Sequence, residues 1–370
     1  MEAHWRPEGF TCPNHETYPW QWLWDSCFHS IVWAALGDDR AVVELSSIFD
    51  GQDLATGFVP HMTYWRDPRH ADFWGRERHS SITQPPMYGH ALRSLVDRGL
   101  TVPAEVVDAS ARGLWFLLRE RRRSRGGLVE LAHPWESGAD DSPRWDDLAG
   151  GPFELQRWYR RKGELVASIE RNFCGSPVFN RDAPVASVAF SALVAFNARE
   201  LASVTGDEVL DAAGVELGQA VAARWSAERL TWVDDGPTAG GSGRARTLEG
   251  LLAVLVDDDP TRAALVLDSL LDPAAHGAWY GPTGVHRGEP TFEPSTYWRG
   301  PAWPQLTYLL WVAARRRGRD DVAARLGWAL RAGAARSGFA EYWHPDTGEG
   351  LGAVPQSWTA LAVVTNVDRA

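Results

Sequence analysis

Apolar positions along this chain recur mostly at helical spacing. From Asp25 onward, Phe28, Ile31, Val32 and Ala35 fall on one face, and Gly37 stops the run. The same reading predicts helices over 39–49, 86–98, 103–121, 187–204, 207–225, 245–256, 260–271, 302–316, 320–336 and 355–366. Pro103 suits a first helical turn, and Gly126-Gly127 and Gly206 suit stops. No segment alternates convincingly with a period of two, so the expected class is all-α. Long polar and aromatic connections separate the helices at 51–83, 145–183 and 272–300. Connections of that length are usually functional or flexible. Many helices of similar length with such loops suggest an (α/α)6 barrel, in which loops at one end of an inner helical ring build a cleft. An irregular helical bundle is the plainer alternative. The Gly-rich stretch 236–243 is too short for an interdomain linker, so residues 1–370 read as one domain, with 61–82 and 145–183 covering the cleft.

Composition narrows the function. The net charge of -11 argues against nucleic acid, whose binding depends on Lys and Arg neutralising phosphates. The basic runs Arg121–Arg123 and Arg315–Arg317 sit at expected helix ends, where they complement the helix dipole. No apolar run is long enough to span a membrane, and the N-terminus lacks the basic-then-apolar pattern of a signal peptide. Cys12, Cys27 and Cys174 give no disulfide framework and no zinc-site spacing, which fits a reducing cytoplasm; Cys27 reads as core. No cofactor or metal is expected. Twenty tryptophans are more than core filling requires.

Those tryptophans cluster with carboxylates and amides. Trp135-Glu136-Ser137-Gly138-Ala139-Asp140-Asp141-Ser142-Pro143-Arg144 is a loop by composition, and it carries three acids beside a tryptophan. Tyr18–Asp25, Tyr297–Trp303 and Glu341–Trp358 repeat the mixture. Aromatic faces beside polar groups suit a sugar, whose ring has apolar C–H faces and a hydroxyl rim. Glycosidic cleavage needs one carboxylic acid to protonate the leaving oxygen and a second carboxylate as base or nucleophile. Asp140, next to Asp141 and close to Trp135, is the candidate acid; its bland reading is a turn cap. Glu341, flanked by Phe339, Tyr342 and Trp343, is the candidate second carboxylate, against a rim glutamate. Trp20, Trp22 and Trp24 alternate and, if extended, present one stacking face that ends at Asp25, which could cap the following helix or bind a hydroxyl. Gln84 and Gln356 are amides of either backbone-binding or sugar-binding use. Asp257-Asp258-Asp259 before Pro260 reads as a helix–helix turn.

The segments 18–26, 57–62, 82–86, 135–144, 297–304 and 341–352, followed by Ser-Trp-Thr-Ala at 357–360, resemble the motifs of clan G glycosidases. Trp-Glu-Ser-Gly-x-Asp-x-Ser-Pro-Arg looks like the acid loop of glycoside hydrolase family 63, and the motifs fall in family order over nearly the whole chain. The most similar branch is the small bacterial one that includes mannosylglycerate and glucosylglycerate hydrolases. The resemblance implies an (α/α)6 barrel and hydrolysis with inversion of a small α-glucoside or α-mannoside. Asp140 matches the general acid and Glu341 the general base. Tyr18, Trp22, Trp24, Asp25, Gln84, Trp135, Trp303 and Gln356 match residues of the glycone subsite, and Tyr297 and Trp298 match the aglycone side. Of the glycerate-gripping Arg-Pro-Thr and downstream Tyr of that branch, Arg171 in the stretch Arg171–Pro177 is the nearest match to the arginine, while the Pro and the Tyr are absent. The resemblance therefore implies a small glycoside partner whose aglycone need not be glycerate.

Three other functions fit parts of the pattern. A sugar epimerase on a similar barrel would need proton-transfer histidines, and only His133 lies near the acid loop. A terpene cyclase would carry its aspartate cluster inside a helix rather than before Pro260. A non-catalytic carbohydrate-binding protein would share the tryptophans without requiring two placed acids.

Overall fold

In a computed structural model of the chain, which describes residues 1–151 and 153–367, the architecture is an α/α barrel. Its inner ring closes on itself. Helix α1 (Leu23–Ala35) packs on α4 (Tyr88–Asp97), and α4 packs on α7 (Val188–Thr205). α7 meets a 3-10 segment, Glu249–Leu255, which meets α10 (Pro304–Arg316). α10 meets α12 (Leu361–Val367), and α12 returns to α1. Outside stand α2 (Arg40–Ser47), α5 (Ala104–Trp115), α8 (Glu208–Ala222), α9 (Pro260–Ser269) and α11 (Asp320–Ser337).

The two rings differ in sequence as burial requires. Every residue of α1 from Leu23 to Ala34 is buried, as is every residue of α10 from Pro304 to Ala314. Helices buried all round are mostly apolar, and the polar exceptions here are few: Asp25, Ser26, His29 and Ser30 in α1, and Gln305 and Thr307 in α10. In α9 only Ala263, Val266 and Leu267 are buried, a single stripe. Local signals set the ends. Ser187 and Asp207 cap α7 and α8 with side-chain oxygens, Asp259 caps α9 ahead of Pro260, and α7 and α11 end on left-handed Gly206 and Gly338. The aspartate run at 257–259 is thus a helix–helix turn, with Asp257 accepting from Trp232 and Arg262.

Polar groups within the ring tie its members together. His90 on α4 bonds Glu200 on α7 at 2.8 Å and the Tyr308 hydroxyl on α10 at 3.0 Å, and Arg316 reaches the same glutamate at 2.6 Å. Gly89 on α4 faces the Asn197 carbonyl of α7 so closely that a Cβ would overlap that oxygen.

Several expected elements differ. Within 245–256 only Glu249–Leu255 is helical, and it is 3-10 rather than α, and 357–360 are 3-10 before α12 begins. The two stretches expected to be irregular contain helices: α3 (Pro68–Trp74) and α6 (Leu155–Ala167), the latter followed by a hairpin of Ile169–Arg171 with Pro177–Asn180. In α6 only Trp158, Lys162 and Leu165 are buried, and one of those three is itself charged, so the buried face shows only two apolar residues to a reading of the sequence. Among the described residues, five two-stranded ladders pin the loops, each too short to show an alternating pattern. No described helix is long and apolar enough to cross a membrane.

Gly89→Ala should lower the melting temperature by several degrees, because the added methyl must push α4 off α7. Overpacking of this kind costs about 1–3 kcal/mol, at about 2–4 °C per kcal/mol for a larger domain. A thermal scan at fixed pH measures it.

Candidate active site

The N-terminal ends of four inner helices converge on one cleft. Trp22, Trp24 and Asp25 lie at the start of α1, and Gln84 lies just before α4. Tyr297 and Trp298 precede α10, and Gln356 precedes the 3-10 turn leading to α12. The cleft has two compartments. An inner cavity of about 100 Å³ is walled by these residues with Tyr18, Gly138, Asp140, Glu341 and Trp358. An outer chamber of about 660 Å³ is walled by Trp20, His70, Trp74, Trp135, Tyr159 and Lys162, among others. Tyr18, Trp22, Gln84, Asp140 and Tyr297 border both, so they form the passage between them. Glu341 borders only the inner cavity.

The acid loop owes its shape to partners for all but one of its acids. Glu136 is fully buried and takes two bonds from Arg121, at 2.9 and 2.5 Å, and backbone N–H bonds from Thr83 and Ala132. Asp141 takes the Lys162 ammonium at 2.6 Å. Arg144, also buried, pairs with Asp234 at 3.0 Å and donates to Thr247 and to two backbone carbonyls. The indole N–H groups of Trp145 and Trp158 hold the Ala139 and Asp140 carbonyls at 2.7 and 3.0 Å. Among the described residues, no hydrogen bond or ion pair occupies the Asp140 carboxylate. Gly138, in the left-handed region at φ +72°, lets the loop pass over Trp24, whose ring would lie 2.7 Å from any Cβ there.

Glu341 is held from three sides. Its backbone N–H donates to the Ala353 carbonyl, its carbonyl accepts from the Trp358 indole, and its carboxylate accepts from the Ala353 N–H at 3.0 Å and the Tyr18 hydroxyl at 3.2 Å. The ladder of Tyr342–Trp343 with Gly350–Leu351 sets this register. Burial pushes the Glu341 carboxyl up to about 7, while the Ala353 and Tyr18 bonds oppose it. Burial also pushes Asp140 up to about 7, although solvent reaches part of it; Lys162 pulls it down, and Asp141 and Glu341 raise it. Asp25, buried deeper in the same cavity, is pushed well above the usual carboxylate range by burial and by Glu341.

Most residues singled out in the sequence meet here, with differences. Trp20, Trp22 and Trp24 do not form one extended face, because α1 begins at Leu23. Trp22 and Trp24 wall the inner cavity and Trp20 the outer chamber. Asp25 lies inside α1 and caps nothing through its side chain. Gln84 Oε1 accepts from the Trp24 N–H at 3.4 Å, so this amide serves the backbone while bordering both compartments. Trp135 lines only the outer chamber. Trp298 lines the inner cavity, turned there by a left-handed φ of 60°. Trp303 reaches neither compartment. It is fully buried behind Trp298, stacked at 3.8 Å, with Tyr342 stacked on it in turn. Three groups on the inner wall lack a protein partner among the described residues: Trp22 Nε1, Trp298 Nε1 and Gln356 Oε1. Buried polar atoms left bare are costly unless a ligand or solvent satisfies them.

Sequence reasoning missed Lys162, which is hidden on a helix that was not foreseen, and Arg121, which is not a solvated helix-end charge but the buried partner of Glu136. The spacing of α6 carried a signal: Trp158 and Lys162 are one turn apart.

A family model described as the mannosylglycerate hydrolase MGH1-like glycoside hydrolase domain matches residues 18–359. A mannosylglycerate hydrolase of Thermus thermophilus is 30% identical over 397 residues, covering 95% of both chains. A glucosylglycerate hydrolase of Mycolicibacterium hassiacum is 29% identical, over 94% of this chain and 91% of its own. The crystal structure of a family 63 mannosylglycerate hydrolase from Thermus thermophilus, in complex with Tris and D-glycerate, is 28% identical with a TM-score of 0.86, covering 100% of this chain and 98% of that one. The chain therefore belongs to the MGH1-like branch of glycoside hydrolase family 63, and it is a glycoside hydrolase.

Proposed function

We propose that the protein hydrolyses a small α-glucoside or α-mannoside with inversion, Asp140 acting as general acid and Glu341 as general base. One observation carries this reading: Asp140 stands at the passage shared by the two compartments, and Glu341 faces the inner one alone. A sugar ring in the inner cavity and a leaving group in the outer chamber put the glycosidic oxygen at the passage. The acid is then beside the oxygen that needs a proton. The base, deeper in, activates a water against the anomeric carbon.

The protonation states follow from the surroundings. Near pH 7 the two carboxyls, both pushed up to about 7, favour a pair that holds one proton. The Tyr18 and Ala353 bonds favour the carboxylate on Glu341, and the like charges of Asp141 and Glu341 favour the acid on Asp140. Trp22 and Trp298 offer indole N–H donors and Gln356 a carbonyl acceptor to sugar hydroxyls, and Trp24 offers ring surface. The small inner cavity favours one sugar ring over a longer chain.

The named relatives support a glycerate-type aglycone, and the outer chamber adds positive groups from the stretches expected to cover the cleft: Arg69 on α3 and Lys162 on α6. Both already have partners, Arg69 with Asp67 at 2.8 Å and Lys162 with Asp141. Arg171, the nearest match to the glycerate-gripping arginine, is spent on Ser81 and the Gly175 carbonyl. These contacts support attraction of a carboxylate without a dedicated bidentate grip.

Asp140→Asn and Glu341→Gln should each lower kcat by about 10²–10⁴-fold, the usual share of acid–base catalysis. Steady-state assays on glucosylglycerate, mannosylglycerate and neutral α-glucosides measure this, and near-normal turnover removes the residue from the role. Early proton NMR of an α-glycoside digest should show the β-sugar first; the α-anomer appearing first would mean a covalent intermediate instead. Lys162→Met removes the cation that holds Asp140 down and leaves Asp141 uncompensated. Loss of that cation raises the Asp140 pKa, so the acid persists to higher pH and the alkaline limb of kcat/KM should move up by about 1 unit. A limb that stays put or moves down would disconnect Lys162 from the acid.

A further inference from the structure

Away from the sugar site, the N-terminal hairpin gathers His4, Cys12 and His15. The strands Trp5–Arg6 and Phe10–Thr11 pair with Trp5 opposite Thr11, which carries His4 to Cys12; the Cys12 N–H donates to the His4 carbonyl at 2.9 Å. A turn at Asn14, whose side-chain oxygen accepts from the Glu16 and Thr17 N–H groups, folds His15 back onto them. One nitrogen of each imidazole and the Cys12 sulfur then lie within 4.8 Å of one another.

We propose that His4, Cys12 and His15 bind a divalent ion of the zinc class, as a structural site. Both imidazoles are preset for it. His4 Nδ1 lies 2.9 Å from the Cys12 carbonyl, and His15 Nε2 lies 2.7 Å from the Ala3 carbonyl. A carbonyl only accepts, so each of those nitrogens carries the proton and the other nitrogen of each ring keeps a bare lone pair. Backbone carbonyls commonly orient metal-binding histidines in this way. His15 Nδ1, one of the bare nitrogens, is 3.6 Å from Cys12 Sγ. Zinc–sulfur and zinc–nitrogen bonds at a tetrahedral angle place their two donor atoms about 3.5 Å apart. The third donor, on His4, comes from a buried residue, while His15 is exposed and leaves a fourth position for water. Binding replaces the S–H bond with a sulfur–metal bond and releases one proton to solvent.

The site would brace the cleft without touching it. Pro13, next to Cys12, is part of the inner wall, and the Cys12 carbonyl also accepts from Ser357. Asn14 and Tyr18 exchange backbone bonds across the same turn, and Tyr18 is the residue bonded to Glu341. A metal at the hairpin would fix the turn from which Tyr18 springs.

The test uses the full chain without a polyhistidine tag, purified without chelators. Elemental analysis should find zinc at one ion per chain, and cobalt added to chelator-stripped protein should produce a thiolate-to-cobalt charge-transfer band. Cys12→Ala should abolish the band, although Cys27 and Cys174 remain. His15→Ala, at an exposed position that folding tolerates, should weaken zinc binding at least about tenfold. Zinc should raise the melting temperature of the stripped wild type by several degrees and leave His15→Ala unmoved. Absence of the band, a band that survives Cys12→Ala, or equal zinc affinity in His15→Ala would each overturn the proposal.

Discussion

A low-dielectric interior cannot hold several unpaired negative charges at close range, and the acid loop places Glu136, Asp140 and Asp141 within six residues. The fold answers by neutralising two. Arg121 grips Glu136, and Lys162 grips Asp141. Removing one partner of such a buried pair typically costs about 3–5 kcal/mol, so the loop is tied to the segment that follows α5 on one side and to α6 on the other. Only Asp140 is left unpaired, and it borders both compartments. Its raised pKa follows from the same constraint, since burial disfavours its charge and the nearby carboxylates add to the effect.

The closed ring of inner helices gives this loop its surroundings. Four members of the ring, α1, α4, α10 and α12, are entered from the same cavity, so residues as distant along the chain as Trp24, Gln84, Trp298 and Gln356 stand around it. The ring positions them through its own contacts: Gly89 against the Asn197 carbonyl, and His90 and Arg316 on Glu200. The elements outside the ring do different work. The segment carrying α3 and the helix α6 supply much of the outer wall, while the short ladders hold Trp22 and Glu341 in register. Shape at the inner cavity rests on the rigid ring, and shape at the outer chamber rests on added segments, the part of a barrel most free to vary in sequence.

Aromatic packing behind the site matters as much as the rings that line it. Trp303 touches no cavity, yet it is the plate on which Trp298 lies and against which Tyr342 stacks, one residue from Glu341. A residue can match a family's site motif and still act through its neighbour.

By itself the sequence determined the helices whose apolar period is strong, their caps and stops, the family, and the two acids worth attention. It did so because deep burial, as in α1, α7 and α10, writes a mostly apolar segment, and because the acid loop keeps the residue types of the family motif together. It did not determine α6, where only two of the three buried residues are apolar, nor the short ladders, which span too few residues for a period. Nor did it show that Arg121 and Lys162 are interior cations, that Trp303 lies behind the wall, or that His4 meets Cys12 and His15. Each of these depends on which distant segment packs alongside, through strand register, ring closure or loop crossing. Those are long-range contacts, and no local pattern of residues encodes them.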